Sequence, residues 1–154
     1  YLVAELKRVG TPLAYSESRN YFTANSEYYR TALELGLNSY LAREARLRLL
    51  RGGFDDSFDV DPLETNQSPE QLRDSVKLVE QLIETVNREP DLEEVRFIAA
   101  IVYARAARAV TDAAERADFR NKALAHADAF MGDYPESMRS AAMPVVRAAP
   151  YDLH

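Results

Sequence analysis

The stretch KALAHADAFMGDYPES, residues 122–137, decides how this chain folds. It has the composition of a helix that runs out into Tyr134-Pro135. Ala123, Ala127 and Phe130 recur at a spacing of four and then three residues, which puts them on one helical face. Small side chains on that face let a neighbouring helix approach closely, and Phe130 fills the wider space a turn further on. Pro135 then closes the element, because proline cannot donate the next backbone hydrogen bond. The stretch therefore reads as a packing device.

Working outward, the same grammar repeats along the chain. Residues 1–9 read as a helix stopped by Gly10. A second helix is expected from a cap at Ser16 to Leu35, with Gly36 as its stop. Asn38 or Ser39 can cap a third, LAREARLRLLR, which ends at Gly52-Gly53. Ser68, Pro69 and Gln71 form the clearest start signal, a capping box with proline in the first turn. Behind it Leu72, Val76, Val79, Leu82, Ile83 and Val86 make one apolar stripe, and this helix is expected to stop at Pro90. Asp91 is read as the cap of a long helix from Leu92 to Ala114, and Asp118 as the cap of the helix carrying the 122–137 stretch. A short last helix follows Ser137, with Pro144 near its start. The expectation is an all-α fold of about seven antiparallel helices with short connections, as a hairpin array or, alternatively, a compact bundle.

Bulk properties agree. In 154 residues, 47% are hydrophobic and only 5 are Gly, enough apolar material for a single domain over residues 1–154. Because the chain begins at Tyr1, it is expected to be a piece of a longer one. The net charge of -6 argues against nucleic acid, which needs a cationic surface to displace counterions. The apolar runs are too short to span a bilayer, so membrane insertion is not expected. With no cysteine there is neither a disulfide nor a thiolate metal site. Cytoplasm and cell envelope both remain open as compartments.

The spacing of Ala123, Ala127, Phe130 and Pro135 resembles the second helix of a tetratricopeptide repeat. The resemblance covers about residues 68–149. Leu78, Leu82 and Thr85 echo it before Pro90. The first-helix half of the signature is replaced by Ala107, Val110, Thr111 and Ala114. The ending Tyr134-Pro135-Glu136-Ser137 is also similar to helix-turn junctions of bacterial cell-envelope repeat lipoproteins. The resemblance implies a scaffold that binds a protein or peptide on a concave face of stacked hairpins.

No catalytic constellation accompanies these helices. His126 and His154 are the only histidines, and His126 can point to a groove or to solvent. The acidic loop 54–67 carries Asp55, Asp56, Asp59, Asp61 and Glu64, yet lacks the turn glycine of a calcium loop and reads as solvated. There is no Gly-rich phosphate loop, nucleophile elbow or paired-histidine site, so no cofactor, no metal and no enzyme activity are expected. Arg43, Arg46, Arg48 and Arg51 form a basic patch that could clamp a carboxylate or simply pair with Glu34, Glu44 and Asp55. Tyr21, Tyr28, Tyr29 and Tyr40 belong to a tyrosine-rich N-terminal region that suits a groove or the rim of a core. Tyr28 and Tyr29 lie about 100° apart around a helix, so one of the pair is expected inside and the other outside. Tyr21, Tyr28, Tyr29, Tyr40, Arg43 and Arg46 are thus the expected partner-binding residues. The rival readings are a small-molecule or sugar-binding domain, an accessory domain of an enzyme, and a homodimerising bundle.

Overall fold

The computed structural model describes residues 29–52 and 61–152. The expected helix over 1–9, the start at Ser16, Tyr21, Tyr28 and most of the acidic loop (Asp55, Asp56 and Asp59 included) lie outside the described residues. All regular structure among the described residues is helical. The chain divides into two compact units, Tyr1–Asp55 and Asp56–His154, with the boundary inside the acidic stretch.

In the first unit, α1 (residues 29–34) ends at Gly36, whose φ of 87° is the left-handed conformation that glycine adopts without a Cβ penalty. The next helix, α2 (Ser39–Gly52), is capped by Asn38, whose Oδ1 accepts from the Leu41 N–H at 2.9 Å. Tyr29, Ala32, Ala42, Ala45, Leu47, Leu49 and Leu50 are buried and form this unit's core.

The second unit is built around one helix. α3 (Pro69–Thr85) begins with the expected capping box: the Ser68 N–H donates to Gln71 Oε1 at 2.8 Å and the Gln71 N–H donates to Ser68 Oγ at 3.2 Å. α4 (Glu89–Ala109) follows after three residues, and α5 (Ala113–Asp133) after another three. A 3-10 turn (Met138–Ala142) leads into the short α6 (Met143–Ala148). α4 packs against α3 on one side and α5 on the other, and α6 closes on α4 and α5. Residues 97–107 of α4 are buried on every side, as expected of a helix that is apolar all round. Ala99, Ala100, Ala104, Ala106 and Ala107 dominate that run, and they let neighbouring backbones come close.

Four boundaries correct the sequence reading. α3 stops at Thr85, with Val86 extended, and Pro90 belongs to the first turn of α4. There its missing N–H costs nothing and its fixed φ favours the helix. Asp91 is therefore inside α4, paired with Arg88 at 3.4 Å, and does not cap it. At the other end α4 stops at Ala109, not Ala114, and α5 starts at Ala113, five residues before the expected Asp118. Its cap is Asp112, whose side chain accepts from the Glu115 N–H at 2.8 Å. Asp118 lies within α5 and pairs with Lys122 one turn on, at 3.0 Å. Ala107, Val110, Thr111 and Ala114, where the repeat would carry its first-helix signature, consequently straddle the α4–α5 turn.

The 122–137 stretch packs as its spacing implies. Ala123, Ala127 and Phe130 have 0% exposure. Phe130 lies 5.8 Å from Phe97 of α4 and 5.1 Å from Tyr134, both in tilted ring contacts. Pro135 follows the helix end but is exposed, so it terminates the element without joining the packed face. The Ser137 hydroxyl donates to Glu93 at 2.6 Å, and Arg96 donates to Asp133 at 2.6 Å. Both contacts tie the end of α5 to the start of α4, as an antiparallel hairpin requires. The short segment before α3 is fastened by Arg105, a buried side chain of α4 whose Nε donates to the Pro62 carbonyl at 2.9 Å, and by the buried Leu63.

Candidate functional site

In the first unit the chain makes its α1–α2 turn with two large apolar side chains outside. Leu35 is 83% exposed and Tyr40 is 53% exposed. Gly36 forces the first of these positions, because the helix must end there and Leu35 has no next turn to fold against. Tyr40 lies in the first turn of α2, and the Arg43 guanidinium lies over its ring, 5.3 Å from the centroid. The pair sets a cation against an exposed aromatic ring. Arg46 and Arg48 are half-buried on the same helix.

Of the residues expected at a partner surface, Tyr40 and Arg43 are brought together, and Arg46 lies nearby on α2. Tyr29 is a correction. At 2% exposure it is a core residue and cannot offer its ring to a partner. Tyr21 and Tyr28 lie outside the described residues. Leu35 was not among the expected site residues. Its signal was available, since a large apolar residue immediately before a C-terminal glycine falls at the last exposed position of the helix.

The second unit holds a different constellation, in which His126 takes part. α3 and α5 both rest on α4 but scarcely approach each other through their backbones, and long side chains span the gap. Arg73 of α3 donates through Nε and Nη2 to both oxygens of Glu115 of α5, at 2.6 and 2.8 Å. That hydrogen-bonded pair raises the guanidinium and holds the Glu115 carboxyl below its usual range. Further along, the buried Tyr103 of α4 donates its hydroxyl to Glu80 of α3 at 2.6 Å. Phe119 meets the Tyr103 ring at 5.9 Å, His126 stacks on it at 5.3 Å with the planes 13° apart, and Lys122 Nζ sits 5.7 Å from its centroid. Burial, followed by the Glu80 hydrogen bond, pushes the Tyr103 hydroxyl far above its ordinary range.

Chemically this second cluster ties helices together: the Tyr103 hydroxyl, held protonated, donates to a carboxylate of α3, and its ring is covered from α5. Among the described residues no group of three or more His, Asp or Glu side chains could hold a metal ion, and no helix is long and apolar enough to cross a membrane. Comparison with known proteins finds no matching family model, no matching curated protein and no matching solved structure.

Proposed function

We propose that the chain is a non-catalytic helical scaffold, built of hairpins similar to tetratricopeptide repeats, that binds a protein or peptide partner. The α4–α5 hairpin supports the likeness through its buried Ala123, Ala127 and Phe130. It departs from it in length, because the two helices together run from Glu89 to Asp133, longer than the roughly 34-residue unit of that repeat.

The observation that carries the proposal is the exposed Leu35 and Tyr40, with the half-buried Arg43 over the Tyr40 ring. Tyrosine and arginine are the side chains that dominate binding energy in protein interfaces, and a rigid ring backed by a cation loses little entropy on docking. An apolar side chain left 83% exposed gains free energy only when something covers it.

The test is selection of binders from a random peptide library, followed by affinity measurement. Tyr40→Ala and Arg43→Ala should each weaken the selected peptides by about tenfold or more, the factor that corresponds to a loss of about 1.4 kcal/mol. Both positions are solvent-accessible, so the fold should survive. Unchanged affinity in both variants would place recognition elsewhere. Concentration-dependent light scattering belongs to the same experiment: if Leu35→Ser converts a dimer to a monomer, the surface serves self-association instead.

A further inference from the structure

The chain has three methionines, and they stand at three depths. Met143, which opens α6, has 0% exposure, and Met131, in the last turn of α5, is half-buried. Met138, which opens the 3-10 turn, is 93% exposed. The backbone on either side of Met138 is nevertheless held. The Ser137 hydroxyl donates to Glu93 of α4 at 2.6 Å, and its oxygen accepts from the Arg139 N–H at 3.3 Å. The Ser140 hydroxyl donates to the Tyr134 carbonyl at 2.7 Å. Arg139 turns inward, with its guanidinium 5.7 Å from the centroid of the Phe97 ring. The Met138 thioether is thus presented to solvent from a fixed place, while its neighbours bind the segment to α4 and to the end of α5.

We propose that Met138 is an oxidation site of the folded chain: its thioether takes an oxygen atom from a peroxide ahead of Met131 and Met143, and the sulfoxide alters the surface without loosening the fold. The sulfur lone pair attacks one oxygen of hydrogen peroxide and the O–O bond breaks. That oxygen stays on sulfur, and the other leaves as water with both protons. The sulfur gives up two electrons and the peroxide gains them. The reaction needs contact between sulfur and oxidant, so exposure sets its order along the chain. A sulfoxide is polar, and in a core it disrupts packing. Met143 would suffer that fate, whereas Met138 contributes no buried surface that a sulfoxide could spoil. Sulfoxide reductases restore the thioether, one enzyme for each epimer, so an exposed site is also a reversible one. The inference is independent of where the partner docks.

Timed exposure of the intact chain to hydrogen peroxide, with each methionine-bearing peptide quantified by mass spectrometry, tests it. Met138 should be oxidised roughly tenfold or more faster than Met143, with Met131 between them. The singly oxidised chain should keep its Tm within about 2 °C, as a surface change does. The two sulfoxide reductases together should then remove the added oxygen from the folded protein. Met138→Leu, a change at an exposed position, should take up its first oxygen at the slower rate of Met131. Met131 or Met143 reacting as fast as Met138 would overturn the proposal. So would a Tm that falls further with the first oxygen, or a sulfoxide that the reductases leave in place.

Discussion

Replacing Ala127 by leucine tests the close packing of the buried face of α5. The substitution adds an isopropyl group to a side chain with 0% exposure, on the face shared with Ala123 and Phe130. The sign of the effect depends on space. At about 0.8 kcal/mol per buried methylene-sized group, an isopropyl that found room would stabilise the chain by roughly 2 kcal/mol. A helix pair held together by alanines has no such room, and overpacking a close-fitted core costs about 1–3 kcal/mol. Ala125→Leu is the control. It makes the same change two residues earlier, at an exposed position of the same helix, where surface substitutions stay within about 0.5 kcal/mol. Urea unfolding followed by helical circular dichroism reads the difference. With a slope of about 2 kcal/mol per molar, Ala127→Leu should lower the midpoint by roughly 1 M while Ala125→Leu leaves it nearly fixed. Equal midpoints, or a higher one for Ala127→Leu, would refute the claim that small residues are there to bring the helices close.

Three further outcomes follow from other contacts. Ser68→Ala removes half of the capping box and should cost about 1 kcal/mol, with hydrogen exchange accelerating first at Gln71, whose N–H loses its acceptor. Arg105→Met leaves the Pro62 carbonyl without the donor it has in the folded chain and should cost about 1–3 kcal/mol, seen as a lower urea midpoint and faster exchange at Leu63 and Glu64. Tyr103, whose folded hydroxyl ionises far above its unfolded value of about 10, contributes stability that is complete below that pH and is lost as pH rises beyond it. Tyr103→Phe should therefore flatten the alkaline fall in stability, and a fall of unchanged steepness would mean that other tyrosines cause it.

Local signals were readable in the chain and distant ones were not. The Ser68 box, the Gly36 stop and the Ala123–Ala127–Phe130 face each depend on residues within two turns of one another, so spacing alone exposes them. The α4–α5 turn was misplaced because VTDAA, residues 110–114, contains neither glycine nor proline and sits between two alanine-rich runs. Its one signal is Asp112 followed by Glu115, which outranks Asp118 only once Val110 is seen to be extended. Pro90 was read as a stop when it is an opening, a distinction that depends on whether the residues before it are helical. The lock of Glu80, Tyr103 and His126 joins three helices across 46 positions of sequence, and no periodicity reports such a meeting. Tyr40 and Arg43 were each expected at a partner surface, and their contact follows because three residues on a helix bring side chains together. That Tyr29 turns inward was not legible, since neighbouring positions on a helix differ only in angle.

In the proposed function the exposed turn of the first unit recognises a polypeptide, while the second unit's polar cluster locks helices together. Amide chemical-shift mapping of the isotopically labelled chain with a selected peptide addresses both halves at once. The largest shifts are expected at Leu35, Gly36, Tyr40 and Arg43, with Glu80, Tyr103 and Lys122 unmoved. Shifts concentrated on Glu80, Tyr103, Lys122 and His126, with the α1–α2 turn silent, would contradict it.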